Sequence, residues 1–189
     1  FGALGIHVGK SLRNEVPLFE GLSNHTEDDL KQLGAGLASS GITTMFRYRD
    51  TSGSEKLETI SIEERDIQDT IDNLSTSSES PDLIFIGCPH CSLREIRRVS
   101  QDLNGKKLKN GTELWVCTSS HVKERAKKYV DIIKGTGGHV LCDTCAVVTW
   151  IKKLGIDNMM TNSAKTAYYS PTLNEVNVTL APLTNCIDE

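Results

Sequence analysis

From residue 81 onward, short apolar runs alternate with stretches whose apolar positions recur at helical spacing. Residues 83–86 (LIFI) form a continuous apolar run of strand length, and Leu93, Ile96 and Leu103 follow on one helical face. Residues 113–117 predict a second strand. Val122, Ala126, Tyr129, Val130 and Ile133 then mark the stripe of a second helix, which Gly137 and Gly138 end. Residues 139–141 begin a third strand, a short helix around 150–154 leads to a strand at 158–161, and residues 176–180 close the series. Strands alternating with helices of this length predict an α/β fold, a largely parallel sheet with helices on both faces. Chemistry in such sheets gathers beyond the carboxyl ends of the strands. Cys88, Cys117, the loop 142–145 and residues 161–165 all fall at or just beyond those ends.

The amino-terminal part is less regular. Residues 1–22 are punctuated by glycine and predict no clear element. Thr26-Glu27-Asp28-Asp29 has the composition of a capping box, with acids in a first turn where the helix dipole favours them. Leu30, Leu33 and Leu37 continue that helix to Gly41, and residues 42–48 are strand-like. Ile67, Ile71 and Leu74 mark a further helix face. The polar stretch 75–82 (STSSESPD) is the best boundary in the chain, dividing a partial α/β region, 1–80, from an α/β domain, 81–189.

Composition narrows the function classes. The 189 residues suffice for one good-sized domain or two small ones, and the net charge of −4 gives no electrostatic reason to expect nucleic acid or anionic lipid as partner. No apolar run approaches the roughly 20 residues of a membrane span, and no export signal is visible. The expectation is a cytoplasmic protein. Phe1 stands where a Met would begin a chain, inside sequence that already reads as structured, so a fragment is expected.

Four of the six cysteines form two Cys-x-x-Cys pairs, Cys88/Cys91 and Cys142/Cys145. Cys88-Pro89-His90-Cys91, where a strand gives way to a helix, fits a thioredoxin-type redox motif, since a helix amino terminus favours thiolate. A second pair two strands later has no place in that reading. Structural zinc is the other possibility, although zinc ribbons separate their pairs by some 15–20 residues and these stand about 50 apart. Such spacing suits ligands supplied by separate loops of an α/β site. Cys117, at the end of an apolar strand, is expected simply to be buried. Thr161-Asn162-Ser163-Ala164-Lys165 is dense in hydrogen-bond donors and suits a carboxylate or phosphate, or is a polar turn with Lys165 in solvent. His90 is a candidate ligand or an ordinary packing residue. Gly9-Lys10-Ser11 lacks the first glycine of a phosphate-binding loop, since Leu4 occupies that place, and is expected to be a glycine-rich connection.

Taken in order, GCPHCSLREI, ELWVCTS, HVLCDTCAVV and MTNSAKTAYYSPT resemble the aconitase X family, most strongly over residues 81–172. One departure is Tyr168, where His is expected in many relatives. The resemblance implies an aconitase-like domain from the carboxyl-terminal part of a longer large subunit. It further implies a hydro-lyase that dehydrates a 3-hydroxy acid such as mevalonate 5-phosphate, or alternatively a hydroxyproline. The implied cofactor is an iron–sulfur cluster, of the 4Fe-4S type, held by three cysteines with one iron open to the substrate hydroxyl. Cys88 and Cys145 would be ligands, with Cys91 and Cys142 in reserve and a third ligand outside this chain. Ser163 and Lys165 would contact substrate carboxylate or phosphate within the loop that includes Thr161 and Asn162, and His90 would orient substrate or ligand. A small swivelling subunit or domain would be the partner. Alone, the chain is expected to be inactive, and dehydration of mevalonate 5-phosphate by it would contradict this. A thiol–disulfide oxidoreductase using Cys88 and Cys91, and a non-enzymatic domain with structural zinc, are the readings from other classes.

Overall fold

The glycines that blur the first segment are what allow two helices to touch backbone to backbone. In the computed structural model, which describes residues 1–12, 15–49 and 57–189, α1 (Gly2–Leu12) packs on α2 (Glu27–Gly41). A Cβ on Gly5 would fall on the Leu33 carbonyl, and one on Gly41 would fall on the Gly9 backbone. Gly9 is therefore a packing glycine inside a helix, in keeping with the absence of a phosphate loop. Thr26 caps α2 as its composition predicts, with its N–H donating to Asp29 Oδ2 at 2.9 Å and its Oγ1 accepting from the Asp29 N–H. The helix ends on Ile42 in the left-handed conformation (φ 60°). That cap turns the following residues into a loop, so of the strand expected over 42–48 only β2 (Arg47–Arg49) forms, parallel to β1 (Leu18–Glu20). Val8, Phe19, Leu33 and Leu37 make the core of this unit, and α3 (Glu64–Leu74) follows.

The chain divides into two compact units, Phe1–Asn73 and Leu74–Glu189. The second holds β3 (Leu83–Cys91), α4 (Leu93–Leu103), β4 (Glu113–Thr118), α5 (Ser120–Arg125), α6 (Lys127–Gly135) and β5 (His139–Cys142). Two short 3-10 turns, Ala146–Val148 and Ile151–Leu154, lead to β6 (Asn158–Thr161), α7 (Ala164–Leu173), β7 (Asn177–Leu180) and α8 (Leu183–Asp188). The helix expected over 122–133 is broken at Ala126, whose N–H is shared between the carbonyls of Val122 and Lys123.

All five strands are parallel, in the order β5-β4-β3-β6-β7. The chain builds outward from β3 to β4 and β5, then crosses back to place β6 on the other side of β3. Because strand crossovers are right-handed, the reversal puts helices on opposite faces. Ile84, Ile86, Leu114, Val116 and Val140 face a core with Ile96 and Val99 of α4, Val130 and Ile133 of α6, and Cys186 and Ile187 of α8. The alternate positions, among them Leu83, Phe85, Cys117 and Met159, are equally buried and face the side of α7. The α/β parallel sheet expected from the sequence is the architecture found. The polar stretch after α3 is tied down: Thr76 and Ser77 donate backbone N–H bonds to the Val178 carbonyl, and Ser75 Oγ accepts from Leu180 N–H. It thereby covers the outer edge of β7, which would otherwise offer unpaired backbone groups.

Candidate active site

A sheet whose strand order reverses opens a crevice at the carboxyl ends of the two strands flanking the reversal, here β3 and β6. β3 pairs with β6 as far as Phe85 and with β4 as far as Ile86, then loses register until Cys91 meets Thr118. Gly87 begins the irregular stretch at φ +111°, with its Cα side pressed against the Cys117 backbone. Such a bulge re-aims side chains: Cys88, Pro89 and His90 line a cavity, while Cys91 returns to the apolar core under α4. The helix expected where this strand gives way starts only after Cys91, because β3 runs on to that residue. Ser92 is its cap, bonded reciprocally with Glu95, and α4 begins at Leu93. Cys88 therefore does not sit on the amino terminus of α4, and the thioredoxin-like geometry is absent.

A different helix start serves Cys88. Ser163 caps α7, its Oγ accepting from Thr166 N–H at 3.1 Å while donating to the Cys88 carbonyl. Thr161 Oγ1 accepts from Ser163 N–H at 3.2 Å, and both side chains are fully buried. The turn that follows β6 is thus stitched to the end of β3. Lys165, in the first turn of α7, lines the cavity; Asn162 is half-buried outside its lining.

The third wall comes from the loop after β5. Asp143 adopts φ 54° and accepts from both the backbone and the hydroxyl of Ser120, which hold its carboxyl below the usual range. His90 donates from Nε2 to the Thr144 carbonyl at 2.8 Å, since a carbonyl can only accept. Cys145 caps the first 3-10 turn, its Sγ accepting from Val147 N–H at 3.3 Å.

These walls bring Cys88 and Cys145 together. The nearness of Cys88 pulls the Cys145 thiol down to about 6 against its burial, with further help from the Val147 and Val148 amides and from Lys165. The same contact, and then burial, raises Cys88 far above an ordinary thiol. Cys117 is buried without exposure, as expected, and burial pushes it up to about 12. Cys142 is paired in register with Thr118, on the face opposite to Cys117. Among the described residues no three His, Cys, Asp or Glu side chains are grouped to hold a metal ion. The pair fits a soft metal or iron–sulfur cluster in ligand chemistry, with further ligands needed from elsewhere.

The cavity has a volume of about 450 Å³. Beyond the predicted residues, Tyr169, Val147, Val148 and Leu173 line it. The sequence carries a signal for two of these: Lys165, Tyr169 and Leu173 recur at i, i+4 and i+8, one face of α7. Nothing in the spacing marks Val147 and Val148.

Comparison with known proteins identifies the family. The model of the aconitase X second domain matches residues 1–72, and that of the aconitase X third domain matches residues 81–189. The phosphomevalonate dehydratase large subunit of Methanocaldococcus jannaschii is 43% identical over 183 residues, covering 90% of this chain and 45% of that protein. The cis-3-hydroxy-L-proline dehydratase of Hypocrea jecorina is 28% identical over 204 residues, 98% of this chain and 34% of that protein. The crystal structure of Thermococcus kodakaraensis aconitase X in its holo-form superposes with a TM-score of 0.90 at 34% identity, over 100% of this chain and 50% of that one. The chain thus spans about half the length of the curated phosphomevalonate dehydratase subunits it matches. With two family domains matched in order and the fold shared throughout, the chain belongs to the aconitase X family.

Proposed function

We propose that this chain supplies the Cys88/Cys145 wall of the active site of a hydro-lyase that dehydrates mevalonate 5-phosphate. One observation carries the reading: Cys88, Cys145 and Lys165, from three separate elements, line the same cavity. Cys88 and Cys145 would hold an iron–sulfur cluster, of the 4Fe-4S type, completed by a ligand from outside this chain. When bound, the cluster supplies a Lewis acid for a departing hydroxyl.

The other roles fall to the chain's own groups. Lys165 and the amino terminus of α7 attract an anion, the carboxylate or phosphate of the substrate. Ser163, committed through both its hydrogen-bonding directions, positions Cys88 rather than touching substrate, and Thr161 supports Ser163. His90 fastens the bulge of β3 to the loop that carries Cys145. Val147, Val148 and Leu173 offer the carbon skeleton an apolar wall. The relatives named phosphomevalonate dehydratase are large subunits, so a small partner subunit is proposed here as well. Thiolate ligands need a reducing compartment, in keeping with the cytoplasm. Among the described residues no helix is long and apolar enough to cross a membrane. Phosphomevalonate dehydratase subunits reach 43% identity, and three others stand at 34–41%, against 28% and 25% for the hydroxyproline dehydratases, although the one from Aeropyrum pernix stands at 27%; the balance favours that substrate over hydroxyproline.

The test is turnover of mevalonate 5-phosphate and of cis-3-hydroxyproline by the full-length subunit reconstituted with its partner under anaerobic conditions. Dehydration of hydroxyproline alone would overturn the choice of substrate. Lys165→Met in that enzyme is expected to raise KM for the anionic substrate by about 10- to 100-fold, the value of one charge-assisted hydrogen bond, while iron content stays unchanged. An unaltered KM would remove Lys165 from the binding site.

A further inference from the structure

One face of α7 presents the cavity with two polar side chains, a helical turn apart. Lys165 and Tyr169 both line it, and their spacing sets Tyr169 about 6 Å farther along the helix axis. The helix starts against Cys88, whose carbonyl accepts from the capping Ser163. By backbone position Lys165 is therefore the nearer of the two to Cys88, and Tyr169 stands one turn outward. The ring of Tyr168 packs edge-on against that of Tyr169, with centroids 5.2 Å apart at 80°, and limits its swing. Elsewhere in the described lining, Pro89, Val147, Val148 and Leu173 carry no side-chain donor, and Cys88 and Cys145 are taken up by the ligand role. His90 donates from Nε2 to the Thr144 carbonyl, and its neutral ring then presents an acceptor at Nδ1, which suits no anion. The phenol of Tyr169 is thus the second side-chain donor of this wall, beside the ammonium of Lys165.

We propose that Tyr169 is a specificity-determining residue, its phenol donating a hydrogen bond to the phosphate of the substrate while Lys165 takes the carboxylate. The inference rests on the reading of the substrate as mevalonate 5-phosphate and gives its two charged ends separate places. In that molecule the carboxylate carbon lies two bonds from the carbon that bears the departing hydroxyl, and the phosphorus lies four bonds away. With the hydroxyl-bearing carbon at the cysteine end of the cavity, the carboxylate stays close and the phosphate extends farther. The nearer donor then meets the nearer charge, and the donor one turn outward meets the more distant one. A hydrogen bond from a phenol to an ionised phosphate oxygen is charge-assisted. A hydroxyproline has a carboxylate for Lys165 and no phosphate for Tyr169.

The test uses the full-length enzyme with its partner subunit, reconstituted anaerobically, in wild-type, Tyr169→Phe and Lys165→Met forms. Mevalonate 5-phosphate is the substrate, and mevalonate, which lacks the phosphate, is the second probe, read as a substrate or as a competitive inhibitor. Phenylalanine keeps the ring and its packing on Tyr168 and removes only the hydroxyl. It is expected to raise KM for mevalonate 5-phosphate by about 10-fold, the size of one hydrogen bond to a charged acceptor, with a smaller change in kcat. The affinity for mevalonate is expected to stay as it is in the wild type. Lys165→Met is expected to weaken both probes, because both carry the carboxylate. Equal losses for the two probes in Tyr169→Phe overturn the phosphate contact, and so does an unchanged KM for mevalonate 5-phosphate. A wild-type enzyme that binds the two probes equally well overturns it too. If mevalonate does not compete even in the wild type, the phosphate is essential to binding, and the KM of Tyr169→Phe decides alone. Failure of the substrate reading is visible separately, in a wild-type enzyme that dehydrates cis-3-hydroxyproline and not mevalonate 5-phosphate, and it takes this inference with it.

Discussion

Cys145→Ser in the full-length enzyme is expected to abolish the iron–sulfur chromophore and to cut turnover by more than about 100-fold, beyond what loss of an outer-shell partner costs. Cys145 is the sulfur most disposed to be a thiolate: the nearness of Cys88, the bond from the Val147 amide and the field of Lys165 bring its thiol down to about 6. A serine oxygen at that place is a hard donor that stays protonated at neutral pH, and iron–sulfur chemistry selects soft thiolates. Cys91→Ser is the contrast. Cys91 lies in the apolar core under α4, so its substitution is expected to cost roughly 1–3 kcal/mol of stability for burying a hydroxyl, with iron content unchanged. Iron and sulfide analysis of both variants under anaerobic conditions decides the matter. Retention of a full cluster by Cys145→Ser would remove it from the ligand set. Loss of iron with Cys91→Ser, in a protein still folded, would return both members of the first pair to consideration.

The two pairs of cysteines show where sequence reasoning reaches and where it stops. Apolar runs and helical stripes locate the strands of the second unit because each side chain there answers mainly to the sheet beneath it. The capping residues Thr26 and Ser92 act within one turn, and Thr26 was legible for that reason. By residue chemistry alone Cys88 and Cys91 look equivalent, although the resemblance favours Cys88, and the loss of register between Ile86 and Cys91 is what sends one into the cavity and the other into the core. That separation depends on Gly87 crossing β4, a contact 30 residues away in sequence that no local pattern encodes. The same holds for Ser163. Its cap on Thr166 acts within one turn, but its bond to the Cys88 carbonyl spans 75 residues and is a nonlocal fact of the crevice. Gly5 and Gly9 mislead in the opposite sense: glycine usually punctuates loops, and here it marks the closest helix contact.

Gly87→Ala is expected to destabilise the protein by on the order of 3–5 kcal/mol, a large part of the 5–15 kcal/mol typical of a folded domain. Two costs combine. The backbone at φ +111° lies in a region that residues with a Cβ rarely adopt, worth about 1–3 kcal/mol by itself. The added carbon would also land on the Cys117 carbonyl and stand 2.9 Å from its nitrogen. Those are backbone atoms of β4, held by β3 on one side and β5 on the other, so the neighbour has nowhere to move. Gly105→Ala isolates the first cost: its φ is +80°, and a Cβ there meets nothing within 4 Å. Denaturant midpoints of the two variants at equal m-values measure the difference, which the clash is expected to set at about 2 kcal/mol or more. Anaerobic iron analysis adds a second reading, because any shift that relieves the clash moves Cys88, the next residue. If Gly87→Ala proves no less stable than Gly105→Ala, then β4 yields at Cys117, and Cys88 is held by Ser163 alone rather than between Ser163 and a rigid strand.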